Sequence, residues 1–381
     1  MTNNTSEREQ LQLLLEKCEL FHEEKLELTG YNFEELPGIV GTFEWVKILD
    51  LKNVGLVSLN NMPPNLTALD VSKNKITSIE KNQLPNTIEF LDISINKLSI
   101  LENLPTCVKC MDASHNKILS VINPPESLQE IGLCNNLLTT FPQFEKNLVK
   151  LDIGKNMLKS LENVPQTLIE LDCSLNEIGI IRNELPPMLE KFVAYYNVIT
   201  YIMTLPKSLK TIDISNNKIA WLDDYPPNIE SLDISNNQLK VLRSNVPGSL
   251  KSLNIMGNPL KNQSQYLKYR IDDFTYDEDE DEVGSYMNGW NNRHSSTDHT
   301  NYHTYNFNNS NHNSGYNSGY NSGYNSSYTP NYNSGYSSNY NSGYSSNYSS
   351  NNIVEMFSRS TVSRFVKSNP NFVVLKNHYV I

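Results

Sequence analysis

The chain has 381 residues, 38% of them hydrophobic and only 19% charged, with a formal net charge of −11 from 31 basic and 42 acidic side chains. Hydrophobic content below the usual ~45–50% excludes uniform globular packing, and the low charge excludes highly charged disorder, so two kinds of sequence are averaged here. The acidic balance excludes general nucleic-acid binding, and no apolar run reaches the ~18 residues that cross a membrane.

In chain order, the start, MTNNTSEREQ, has no basic region followed by an apolar stretch, so no secretory signal is read there. Five cysteines do not form a disulfide framework, and a reducing, cytoplasmic setting is expected. Residues 6–21, SEREQLQLLLEKCELF, open with a capping-box pair, Ser6 and Glu9, and place Leu11, Leu14, Leu15 and Cys18 on one helical face. A capping helix is therefore expected within 1–25.

From residue 26 the sequence repeats. LTALDVSKNKI at Leu66 is followed by IEFLDISINKL at Ile88, VKCMDASHNKI at Val108 and LQEIGLCNNLL at Leu128. LVKLDIGKNML, LIELDCSLNEI, LEKFVAYYNVI, LKTIDISNNKI, IESLDISNNQL and LKSLNIMGNPL continue the series. An Asn recurs at 74, 96, 116, 136, 156, 176, 197, 217, 237 and 258, every 20 to 22 residues. Val46 begins a further unit with Val54 at the Asn position, and LELTGYNF from Leu26 is a degenerate one with Tyr31 there. Taking the leading apolar residue as position 1, the L-x-L at positions 4 to 6 alternates with period two and predicts a strand, with positions 4 and 6 inward and 3, 5 and 7 outward. Positions 1, 11 and 14 are apolar as well. One unit cannot bury five apolar side chains, but stacked neighbours can, at roughly 1.5–3 kcal/mol for each. Pro stands just before position 1 in most units, favouring an extended or polyproline II path on the far side.

This L-x-x-L-x-L-x-x-N-x-L pattern resembles the leucine-rich repeat superfamily. The resemblance implies an α/β-class solenoid over 26–260, about 11 to 12 repeats, with a curved parallel sheet on its concave side and an extended or polyproline II convex side. The short Pro-containing units are similar to the repeats of bacterial effector proteins. Together with the Asn-rich tail they also resemble repeat proteins of amoeba-infecting giant viruses.

After Asn258, KNQSQYLKYRIDDF puts Leu267, Ile271 and Phe274 on one face and is expected to form a helical C-terminal cap over 261–275. Residues 276–352 are acidic and then built from Asn, Ser, Gly and Tyr, with a Tyr every four residues from 316 to 348, a composition expected to be disordered. Evenly spaced tyrosines suit weak self-association; a neutral expanded linker fits equally well. The last residues, 353–381, are basic and apolar, as in a short docking or anchoring element.

Candidate binding residues lie on the concave face. Position 5 reads Asp70, Asp92, Asp112, Asp152, Asp172, Asp213 and Asp233 in the regular units. Strands about 4.8 Å apart would align these carboxylates into a row that attracts a basic partner. The same Asp is also consensus in the family, so a purely structural role is the competing reading. The unit FVAYYN departs most from its siblings: Val193 replaces Asp, and Tyr195 and Tyr196 follow it, with Leu175 on the preceding strand. Tyr201 and Trp221 occupy position 13, where Ser or Thr is commoner. Exposed aromatics on a rigid surface suit an interface anchor.

Cys107-Val-Lys-Cys110 lacks the second pair that a zinc site needs and enters a strand instead of opening a helix. Cys173 falls on inward position 6, and His115 has no nucleophile or carboxylate partner in view. No enzyme activity, cofactor or metal is expected. The sequence points to a protein–protein interaction module with a basic protein partner on its concave face, no nucleic acid, no transmembrane segment, and weak self-association through the Tyr-rich tail. Alternatives are a structural or condensate-forming scaffold, and an effector-like adaptor that brings a host protein to ubiquitin machinery.

Overall fold

A computed structural model describes residues 3–144, 147–182, 185–222, 224–242, 246–260 and 271–277, with side chains from Arg8 onward. Positions 3 to 5 of each unit, overlapping the L-x-L, form a three-residue strand, such as Ala68–Asp70, Phe90–Asp92 and Cys110–Asp112. Thirteen such strands, from Lys25–Glu27 to Asp273–Thr275, pair in parallel as one sheet with the units in sequence order. Equivalent positions face each other throughout: Leu49 pairs with Leu69, Leu69 with Leu91, and Leu91 with Met111. Each unit therefore advances the solenoid by one strand spacing, about 4.8 Å.

Alternation along the strand sends positions 4 and 6 inward. Together with positions 1, 11 and 14 they form one continuous buried cluster, in which Leu66, Leu69, Val71, Ile76 and Ile79 are one unit's share. Cys173 belongs to this core, as its position predicts.

The repeated Asn makes the turn out of the strand. In Asn96 the side-chain oxygen accepts the N–H of Ile76 in the preceding unit at 3.0 Å. Its amide donates to the carbonyls of Val71, Ile93 and Ser94 at 2.9, 3.1 and 3.2 Å. Every Asn from 74 to 258 repeats this set between its own unit and the one before, for example Asn156 with Leu138 and Leu133, and Asn237 with Ile219 and Ile214. The side chain thus stitches adjacent turns through backbone groups that the strand ladder does not reach. Just before it, position 8 takes positive φ in unit after unit: Asn53, Lys73, Ile95, His115, Asn135, Lys155, Leu175, Tyr196, Asn216, Asn236 and Gly257. Asn and Gly tolerate this left-handed conformation; a β-branched residue such as Ile95, at φ 54, does not.

Beyond the turn the chain runs without further helix among the described residues of the regular units, and makes only two short parallel pairings at positions 13 and 14. These are Ile100–Leu101 with Ser120–Val121, and Ile180–Ile181 with Tyr201–Ile202. Units of 20 to 22 residues leave little room for more.

The N-terminal helix spans Asn3–Phe21 and covers the end of the stack with the predicted face: Leu15 and Cys18 are buried, Leu11 and Leu14 half-buried against the core. Leu26 pairs with Leu49, which puts it at position 4 and Tyr31 at the Asn position of the first, degenerate unit. At the other end the expected helix gives way to a correction. Phe274, assigned to a helical face, lies in the strand Asp273–Thr275 and pairs with Leu253 at position 4. Ile271 holds position 1 of that extra unit and is buried. The repeat frame simply continues into the acidic residues where a helical cap was expected. Leu267, the Tyr-rich segment and the basic-apolar residues 353–381 lie outside the described residues.

Candidate partner-binding face

The outward side of the sheet is built from three columns, positions 3, 5 and 8. In column 5 each Asp does local work. Its Oδ1 accepts the N–H two residues on: Ser72 to Asp70 at 2.8 Å, Ser94 to Asp92 at 3.0 Å and Ser114 to Asp112 at 2.9 Å. Gly154 to Asp152 and Ser174 to Asp172 follow, both at 3.0 Å, then Ser215 to Asp213 at 3.1 Å and Ser235 to Asp233 at 2.9 Å. The hydroxyls of Ser94, Ser174, Ser215 and Ser235 add a second bond to the same oxygen. N–H groups at positions 6 and 8 bond to the next unit, as with Val71 to Asp92 and Lys73 to Ser94, so the position 7 N–H needs this carboxylate. The column is structural through Oδ1. Asp233 Oδ2 already accepts the Asn254 amide at 2.9 Å, while Asp70 Oδ2 is buried with no hydrogen-bond partner.

Alignment has an electrostatic cost. Burial pushes Asp70 up to about 6, with Asp50 adding to the rise against the Ser72 hydrogen bonds. Burial, then the charges of Asp70 and Asp112, hold Asp92 well above the usual carboxylate range. Asp152 rises to about 7 through burial and the neighbouring Asp172. Asp50 and Asp213 also move up, again chiefly by desolvation. A row of carboxylates this close favours any cation that comes to lie along it.

Column 3 divides the face in two, and sequence reading missed it. In the first half it reads Ile48, Ala68, Phe90 and Cys110, all buried; beside them Asp50, Asp70, Asp92 and Asp112 are buried as well. From Glu130 to Lys191 it turns ionic, and Thr211, Ser231 and Ser252 continue it. Lys150 lies 3.7 Å from Glu130 and 3.3 Å from Glu170, and Lys191 follows. In this second half Asp152, Asp172, Asp213 and Asp233 are half-buried. Burial raises Glu130 to about 7 in spite of Lys150. Reading one column down the aligned units, instead of one unit along the chain, would have exposed this change.

The aromatic candidates separate into two places. Tyr195 and Tyr196 sit at the strand-end rim with ring centroids 6.0 Å apart, and Leu175 donates its N–H to the Tyr195 carbonyl at 2.8 Å. Tyr196 and Leu175 are both exposed there, whereas Val193 is buried in the sheet. Tyr201 and Trp221, assigned to the concave face, are not on it. The chain has already turned at positions 8 and 9, so position 13 lies on the far side of the turn, where Tyr201 pairs with Ile180 in the second sheet. There Ile180, Trp221 (55% exposed) and Val241 form an outward column of consecutive units, with the Tyr201 and Trp221 rings 6.0 Å apart. His115 accepts the Asn135 amide at Nδ1 over 2.7 Å, in the tautomer that leaves that nitrogen unprotonated, and burial lowers its pKa. Cys107 is exposed and Cys110 buried, both free thiols. Among the described residues no group of three or more His, Cys, Asp or Glu could hold a metal ion, and no helix is long and apolar enough to cross a membrane.

Residues 63–79 and 228–253 match family models of the leucine-rich repeat. No curated protein matches the sequence. Among solved structures, the leucine-rich repeat domain of APL1B is similar at TM-score 0.54 and 20% identity, over 80% of this chain and 97% of that one. The LRIM1/APL1C complex gives TM-score 0.53 and 17% identity, over 70% of this chain and 62% of that one. A leucine-rich repeat protein of Leptospira interrogans gives TM-score 0.51 and 22% identity, over 65% of this chain and 76% of that one. The fold is a leucine-rich repeat solenoid of about twelve turns.

Proposed function

We propose that this solenoid is a non-catalytic protein–protein interaction module that takes a basic partner segment along the concave face. The observation that carries the reading is the aligned Asp column, in which the N–H two residues on in the same unit uses one oxygen of Asp152, Asp172 and Asp213 and the second is left for a partner. In the second half of the face Asp152, Asp172 and Asp213 are partly accessible, with Leu175 and Tyr196 exposed at the rim as apolar anchors. A rigid row of like charges favours fast, salt-sensitive association with lysine- or arginine-rich segments. One of the similar solved structures is itself a complex of two chains, LRIM1 and APL1C. Free cysteines among the described residues suit a reducing, cytoplasmic setting, and the Pro-punctuated units suit an affiliation with giant-virus repeat proteins.

The test is affinity capture with the full chain beside an Asp152→Asn, Asp172→Asn, Asp213→Asn variant. Asn keeps the Oδ1 acceptor and removes only the charge, so the fold is retained. Partners that elute with salt from the parent are expected to be lost from the variant. Identical captured sets would overturn the reading.

A further inference from the structure

Past the Asn turn, position 10 forms a second regular column. Its N–H donates to the position 11 carbonyl of the preceding unit: Lys75 to Leu56 and Lys97 to Ile76 at 2.8 Å, and Lys117 to Leu98 at 2.9 Å. Leu137 to Ile118 at 2.9 Å and Met157 to Leu138 at 2.8 Å continue the ladder. The five side chains are thus held at the strand spacing, about 4.8 Å, along the rim of the solenoid. All five are exposed.

This rim is basic in a chain whose net charge is −11. Across the five units from Leu66 to Leu148, positions 7 to 14 hold six lysines and no Asp or Glu. Lys75, Lys97 and Lys117 enter no ion pair among the described residues. Three ammonium groups side by side, with their charge uncompensated, favour an anionic chain laid along them. Leu137 and Met157, 39% and 37% exposed, follow as a short apolar step in the same column. The rim has no Arg to grip phosphate as a fork, and no Phe, Tyr or Trp to stack on a base or sit at a bilayer surface. Carboxylates joined to an apolar side chain match it better. Four spacings come to about 19 Å, the length of roughly six residues of extended chain, with every second side chain facing the rim.

We propose that the position 10 rim binds an extended acidic segment of a partner protein, with carboxylates over Lys75, Lys97 and Lys117 and an apolar side chain over Leu137 and Met157. The surface is separate from the concave Asp row and takes the opposite charge. The solenoid therefore holds a basic element on its face and an acidic one on its rim. This goes beyond the functional reading above and fails independently of it.

The probe is a fluorescein-labelled hexapeptide of four glutamates followed by two leucines, titrated with the full chain at low salt and read by fluorescence anisotropy. The parent is expected to bind it at least about tenfold more tightly than the same peptide with glutamine for glutamate. Lys75→Gln, Lys97→Gln, Lys117→Gln together are expected to lower the affinity about tenfold, while Lys218→Gln with Lys240→Gln stays within about twofold. Gln238 already stands at position 10 in a sibling unit, so the ladder is retained. Leu137→Gln with Met157→Gln is expected to weaken this peptide about threefold and leave an all-glutamate hexapeptide unchanged. The Asp152→Asn, Asp172→Asn, Asp213→Asn variant is expected to keep the binding, which separates this surface from the concave row. Equal binding of the glutamate and glutamine peptides by the parent, or parental affinity in the triple Lys variant, would overturn the proposal. Tighter binding of a uridine hexanucleotide or of phosphatidylserine vesicles, lost in the same Lys variant, would reassign the rim to nucleic acid or lipid and overturn the acidic-peptide reading.

Discussion

Replacing Asn156 by Leu tests the turn ladder at the middle of the stack. Asn156 accepts the Leu138 N–H at 3.0 Å and donates to the carbonyls of Leu133, Ile153 and Gly154 at 3.0, 3.0 and 3.1 Å. The three carbonyls keep other donors. Leu133 retains Asn136 at 3.0 Å, Ile153 retains Asn176 at 3.1 Å and Gly154 retains the Asn135 N–H at 2.9 Å. The Leu138 N–H alone is orphaned in a buried setting, at about 1–3 kcal/mol, and each lost carbonyl bond adds roughly 0.5 kcal/mol. A total of about 2.5–4.5 kcal/mol is expected, with the orphaned amide the largest single contribution. Urea denaturation should lower the midpoint clearly relative to the exposed change Lys159→Ala, which is expected to stay within about 0.5 kcal/mol of the parent. Amide hydrogen exchange should show its largest local gain at Leu138. Equal midpoints for the two variants would refute the assignment of the ladder as a stabilising element.

Two further outcomes follow from the outward columns. Ile95→Asn relieves a β-branched residue at φ 54 with a side chain that sibling units already use there, and should raise stability by about 1 kcal/mol, while Ile95→Val should not; a midpoint unchanged by Asn would count against strain at this position. Asp70, Asp152 and Glu130 have folded-state values of about 6, 7 and 7, above their ordinary values of 3.8, 3.8 and 4.5. The folded chain therefore binds more protons than the unfolded chain between pH ~4 and ~7, so stability falls as pH rises through that interval. Tm should be higher at pH 5.5 than at pH 7.5, and Asp152→Asn, which keeps the Gly154 bond, should lessen the difference; a Tm that rises with pH across this range would contradict the buried row.

The solenoid was legible because its information is periodic. Asn at a fixed interval sets the turn, L-x-L sets the strand, and pairing of equivalent positions follows from translation alone. The last strand was not legible, because Asp272, Asp273 and Asp277 disguise the frame that Ile271 and Phe274 continue. In the candidate site, the Asp column was read correctly as a row. Its local bond to the position 7 N–H could not be seen, since that depends on where the ladder leaves a donor unused. Tyr201 and Trp221 were misplaced for a related reason: their unusual residue type was visible, but the side of the turn on which position 13 emerges depends on the backbone at positions 8 and 9. The apolar stretch Ile48, Ala68, Phe90 and Cys110 escaped notice because no single unit is abnormal.

The Asn stitch also bears on how the stack responds to force and to change in length. Each Asn ties its own turn only to the preceding one, so the turns are coupled links in series and tension passes through every link in sequence. Such a rod is expected to yield one turn at a time, starting where a link is imperfect, and Val54, which offers no amide at its place, is the natural weak joint near the N-terminal end. Because every joint has the same form, a whole unit of about twenty residues could be gained or lost with the remaining joints still matching. The outer columns do not share that indifference: removing the unit at Leu128 would take away Gly132, one of the gaps in the carboxylate row, and set Asp112 directly against Asp152. Backbone stitching leaves the rod free to vary in length, while surface charge restricts which units can stand side by side.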